Sequence, residues 1–102
     1  MLLVGGGSVL PADSVRAMCS DQLTDAVKAL GGLGRGFFDR KSWGYCQAVY
    51  NGGAFGWNGG LGTSWIADPG RDLTVIVMTQ RTFESAELPQ VHRDIQAAAL
   101  GG

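Results

Sequence analysis

The chain has 102 residues, 45% of them apolar, and a formal net charge of −1. That length suits one domain, residues 1–102, and that apolar share argues against wholesale disorder. Lysines and arginines are scattered and no apolar stretch nears the roughly 18 residues of a membrane helix, so neither nucleic acid nor membrane is expected as a partner.

Met1-Leu2-Leu3-Val4 is helix-forming but too short to stand alone, and Gly5-Gly6-Gly7 stops it. The chain is therefore expected to open in the last turn of a helix whose body lies outside it. This start has neither the basic flank nor the long apolar region of a secretory signal, and the compartment stays open. Pro11, Asp13 and Ser14 mark the start of a helix of about two turns, with Val15, Met18 and Cys19 on one face. A second short helix is predicted from Asp25 to Leu30, followed by a glycine-rich loop from Gly31 to Gly36.

From Trp43 to Tyr50 the period changes to an alternation that predicts one strand. Asn51-Gly52-Gly53 then predicts a turn, Ala54 to Asn58 a second strand and Leu61 to Ala67 a third. Asp68 to Asp72 reads as a turn in which Pro69 presets φ and Gly70 tolerates a positive one. The nearly unbroken apolar run from Leu73 to Thr79 predicts a strand buried on both faces. Pro89 to Leu100 predicts a terminal helix whose apolar stripe is Val91, Ile95 and Ala99. The order gives an α+β fold: an antiparallel sheet of three to four strands, a short N-terminal helical region, and a C-terminal helix packed on one face. Because that helix can cover only one face of the last strand, self-association through the other is expected. Cys19 and Cys46 are too few and too far apart for a metal site; they read as buried free thiols, with a disulfide left open.

The segment from Phe55 to Trp65 carries four glycines in a strand-forming context. Glycine inside a strand gives up packing and costs entropy, so it marks a bulge or a place where another backbone or a ligand approaches closely. Bare backbone at a strand edge also presents N–H groups that can stabilise an oxyanion.

Phe55 to Thr79, with its Gly-Trp-x-Gly-Gly-x-Gly-Thr run, Trp65, Asp68-Pro69 and closing Met78-Thr79-Gln80, resembles the last sheet strands of serine β-lactamase and penicillin-binding-protein-like hydrolases, including their esterase-like relatives. The opening, Met1 to Leu10, is similar to that family's helix end and glycine turn, and Val15 to Leu23 to the short helix after it. The resemblance implies a partial β-lactamase/transpeptidase-like fold and acyl transfer to a serine, with no cofactor. The family's third motif, typically Lys-Thr-Gly, falls on Trp57-Asn58-Gly59, which the resemblance marks as substrate-binding, with the Gly60 N–H as an oxyanion donor. Trp57 in place of a cation favours neutral esters or amides over acidic substrates.

The family nucleophile is the serine of Ser-x-x-Lys. Ser8, Ser14, Ser20, Ser42, Ser64 and Ser85 are followed three residues later by Pro11, Ala17, Leu23, Tyr45, Ala67 and Leu88, never lysine. Tyr-x-Asn and Ser-x-Asn, the forms of the second motif, are also absent. The chain is thus expected to be a C-terminal piece, inactive alone, whose partner is the N-terminal part of the hydrolase domain. An alternative from another class is an independent binding domain that uses Trp43, Trp57 and Trp65. His92-Arg93-Asp94 matches a kinase triplet by three letters only, and His92 reads as a surface residue. Nothing in the spacing of Ser64, Asp68 and His92 supports a triad.

Overall fold

The computed structural model describes residues 1–101. Leu2–Val4 form a single 3₁₀ turn, closed by Gly5 at φ 72°. Helix α1 (Ala12–Met18) begins after Pro11, whose carbonyl accepts from Ser14 and Val15, and carries Asp13 near its positive end. Its Val15 is buried, with Met18 and Cys19 half-buried, as the predicted shared face requires. Helix α2 (Asp25–Ala29) is capped by Thr24, whose hydroxyl accepts from the Val27 N–H at 3.3 Å.

The expected strand from Trp43 to Tyr50 is two strands. β1 (Lys41–Trp43) and β2 (Ala48–Tyr50) form an antiparallel hairpin with Trp43 opposite Ala48. The Gly44 N–H donates to the Gln47 carbonyl at 2.9 Å, and Cys46 sits in the left-handed region at φ 69°. The Tyr45 N–H donates to the Met18 carbonyl at 3.2 Å, docking the hairpin tip on the end of α1. A Cβ on Gly44 would lie 1.9 Å from that carbonyl, so only glycine permits the approach. The four-residue tip preserves the odd-even alternation, which is why the segment reads as continuous. Cys46 is exposed at this tip; Cys19 is half-buried, and both are free thiols. Burial pushes the Cys19 thiol up, against a bond from the Gln47 amide that lowers it.

β3 (Phe55–Gly59), β4 (Thr63–Asp68) and β5 (Leu73–Met78) complete a five-stranded antiparallel sheet in chain order, one strand more than the expected maximum. In the β4–β5 turn, Asp68 Oδ1 accepts from the Gly70 N–H at 2.9 Å, and the Arg71 guanidinium holds the other carboxylate oxygen. The positive φ of that turn belongs to Asp72, at 51°, and not to Gly70.

Helix α3 (Gln90–Gly101) lies against β5. Its expected apolar stripe does not make the contact: Val91, Ile95 and Ala99 are exposed. His92, Gln96 and Leu100 turn inward instead, and His92, read from sequence as a surface residue, is only 1% exposed. The reason is Ser64, which faces the helix from β4 and offers a hydrogen-bond partner. β5 is also covered on one side only, contrary to expectation. Val75 and Val77 are buried on the α3 side, whereas Ile76 and Met78 are 65% and 78% exposed on the other. The molecule is a slab of 38 × 35 × 23 Å with one broad sheet face uncovered near β5. Among the described residues no helix is long and apolar enough to cross a membrane.

Candidate functional site

The motif-like residues lie at the far end of β3 and in the turn that follows. Phe55 and Gly56 pair with β2 on one side and β4 on the other. From Trp57 onward only β4 pairs, with Trp57 opposite Trp65, Asn58 opposite Ser64 and Gly59 opposite Thr63. The outer edge of Trp57–Gly59 is therefore free of a strand partner. Alternation places Trp57 and Gly59 on the face away from α3 and Asn58 on the face towards it, so the three do not share one surface. Trp57 is half-buried, with its indole edge-on to Trp43 at 4.7 Å between ring centroids.

Gly56 explains one of the strand glycines. A Cβ there would lie 2.1 Å from the Trp65 carbonyl and 2.9 Å from Ile66 Cα, so β3 and β4 approach more closely than a side chain allows. The strand ends at Gly59, one residue beyond the expected Asn58, and Gly60, the expected oxyanion donor, lies in the turn and not on the strand. Gly60 is exposed, a Cβ on it would meet open space, and among the described residues nothing accepts its N–H. Its carbonyl accepts from the Phe83 N–H at 2.8 Å. Two residues on, the Gly62 carbonyl accepts from both the Thr79 N–H and the Thr79 hydroxyl, each at 2.8 Å. The hairpin tip is thus tied on its carbonyl side to the segment after β5 while the Gly60 N–H stays open. Chemically, such a group can donate to an oxygen that acquires charge beside it.

Ser64 and His92, two of the three residues that could have formed a triad, do meet: Ser64 Oγ lies 2.7 Å from His92 Nδ1. Asp68 does not join them, since its carboxylate is taken by Arg71 and the Gly70 N–H, which hold its ionisation below the ordinary range against the opposing effect of desolvation. Ser64 is buried under α3, out of reach of a substrate, so this pair is a packing contact. The signal that could have revealed it is Ser64 itself, a hydroxyl on the same side of β4 as Ile66, at a position that needs a buried partner. The His92-Arg93-Asp94 triplet lies in the first turns of α3, not in a loop. Among the described residues no group of three or more His, Cys, Asp or Glu side chains could hold a metal ion.

The model of the Beta-lactamase family matches residues 1–100. Protein Rv1367c of Mycobacterium tuberculosis (strain ATCC 25618 / H37Rv) is 32% identical over 111 residues, covering 96% of this chain and 26% of the relative. Uncharacterized protein MT1414 of Mycobacterium tuberculosis (strain CDC 1551 / Oshkosh) matches with the same identity and coverage. The chain thus spans about a quarter of the length of the curated relatives it matches. With the family match running through the whole sheet and its flanking helices, the chain belongs to the Beta-lactamase family.

Proposed function

We propose that this chain supplies one wall and one oxyanion donor of a serine hydrolase site, and that the nucleophile comes from a separate N-terminal part of the domain. The observation that carries the reading is the Gly60 N–H, open at the end of a strand whose outer edge is free, on a chain with no Ser-x-x-Lys. In the complete site the serine oxygen would bond to the acyl carbon. The alcohol or amine would leave with a proton, and water would then cleave the acyl-serine. Gly60 would donate to the carbonyl oxygen as it becomes an oxyanion. Trp57, an apolar ring where the family has a cation, suits a neutral ester or amide substrate.

The uncovered face near β5 supports the same reading. Ile76 and Met78 are 65% and 78% exposed on one face of β5, an apolar surface suited to the helices of the partner half. The test is labelling with a fluorophosphonate, which marks activated serines. The chain alone should take no label and should not hydrolyse a p-nitrophenyl ester above the buffer rate. Mixed with a family N-terminal half bearing Ser-x-x-Lys, it should yield labelling of that serine. Stoichiometric labelling of a serine in this chain alone would overturn the reading.

A further inference from the structure

Helix α3 packs on β5 and on Ser64 of β4, and a groove remains beside it on the same face of the sheet. Strand pairing puts Lys41, Tyr50, Asn58 and Ile66 on the face that carries Ser64. These four line an open cavity of about 770 Å³, the size of a small-molecule site. One wall is the chain just before β1, with Arg35, Phe37 and Arg40; the other is α3, with Arg93 and Gln96. Asn58, the one motif-like residue that faces α3, therefore belongs to this groove and not to the surface that carries Trp57 and Gly59.

Four cations line the groove, Arg35, Arg40, Lys41 and Arg93, against two carboxylates, Asp39 and Glu87. The groove is thus net positive on a chain whose net charge is −1. Arg93 is held by the Leu88 carbonyl at 2.7 Å and by Gln90. Arg35, Arg40 and Lys41 form no ion pair among the described residues. Lys41 is half-buried, with its ammonium 4.0 Å from the centre of the Phe37 ring, and burial pushes its pKa down. The ring face offsets only part of that lost hydration. A carboxylate beside the ammonium would add a charge-assisted hydrogen bond and favour the charged form. Tyr50 and Ile66, both half-buried, give the groove an apolar floor. A strongly hydrated ion such as phosphate gains nothing from that floor, whereas an anion with an apolar body buries surface on it.

We propose that this groove binds a small carboxylate with an aryl or acyl body, its charged end on Lys41 at the basic wall and its body over Tyr50 and Ile66. The site lies on the opposite face of the sheet from Trp57 and Gly59, and it does not depend on the hydrolase reading.

The chain has three isoleucines, which makes the site readable by NMR of the full chain with ¹³C-labelled isoleucine methyls. Ile66 lines the groove, Ile76 lies on the uncovered face of β5, and Ile95 is exposed on α3. Titration with 2-naphthoate should move the Ile66 signal saturably and leave Ile76 and Ile95 in place. The neutral 2-naphthamide should bind about tenfold more weakly, as should 2-naphthoate to Lys41→Met, which keeps an apolar stem. Arg40→Gln, at an exposed side chain, should weaken binding about threefold and keeps the test open if Lys41→Met does not fold. The proposal is overturned by no saturable shift of Ile66, by movement of Ile76 alone, by equal affinity for the acid and the amide, or by unchanged affinity in Arg40→Gln. Loss of the Ile66 response on adding a family N-terminal half would also overturn it, and would make the groove a docking face for that half.

Discussion

Ser64 Oγ and His92 Nδ1 lie 2.7 Å apart between β4 and α3, and this bond sets which side of α3 faces the sheet. Without it the apolar stripe of Val91 and Ile95 would be the natural contact. Ser64→Ala leaves His92 Nδ1 buried and unpaired, which costs about 1–3 kcal/mol. A lowered urea midpoint with an unchanged slope is the expected result. An unchanged midpoint would show that the bond contributes nothing net to the docking of α3.

Gly56 and Gly60 lie four residues apart and should respond oppositely to a methyl group. At Gly56 the methyl meets backbone of β4, which cannot step aside, and Gly56→Ala should cost on the order of 1–3 kcal/mol through overpacking. At Gly60 it meets nothing within 4 Å, and Gly60 is not among the positive-φ glycines. Gly60→Ala should therefore change stability by no more than about 0.5 kcal/mol. Thermal melts of the two variants decide the point.

Joined to a family N-terminal half, Gly60→Pro removes the N–H and should cost on the order of a hundredfold in turnover. Gly60→Ala keeps the N–H and should cost less. Equal turnover for wild type and Gly60→Pro would remove Gly60 from the proposed oxyanion site.

Asp21 gives the chain a defined acid response. Its carboxylate accepts from the Lys28 ammonium, the Ser42 hydroxyl and the Leu23 N–H, which hold its pKa down at about 2. An unfolded aspartate titrates near 3.9. The folded value is the lower one, so this contribution is complete above about pH 4 and is lost as pH falls towards 2. Stability of the wild type should therefore drop more steeply across that window than stability of Asp21→Asn. Parallel urea midpoints from pH 4 to 2 would show that these bonds are not formed in solution.

The apolar face of β5 at Ile76 and Met78 should bind a hydrophobic dye and promote association of the isolated chain. Ile76→Lys with Met78→Glu should reduce both while leaving the melting temperature within a few degrees. A dye-silent monomer of the unmodified chain would count against an interface on this face.

Local chemistry in the sequence was enough for the positions of α1 and α2, the antiparallel sheet, the turns around Gly52 and Pro69, and the terminal helix. Pro11, Thr24 and the alternating runs act within a few residues of themselves. The glycines of β3 were also legible as a place of close backbone approach, and the resemblance in Phe55 to Gln80 led to the right family. Other features depended on contacts between distant parts of the chain. Trp43 to Tyr50 became a hairpin because the Met18 carbonyl holds its tip at Gly44 and Tyr45, a contact no alternation encodes. The open edge at Trp57 arises because β2 stops pairing at Gly56, and the turn at Gly60 because Thr79 and Phe83 bind the tip. The side α3 presents was decided by Ser64, 28 residues away in sequence. A helix with both an apolar stripe and a buried-capable polar side docks on the one that finds its partner, and that partner exists only once the sheet has formed.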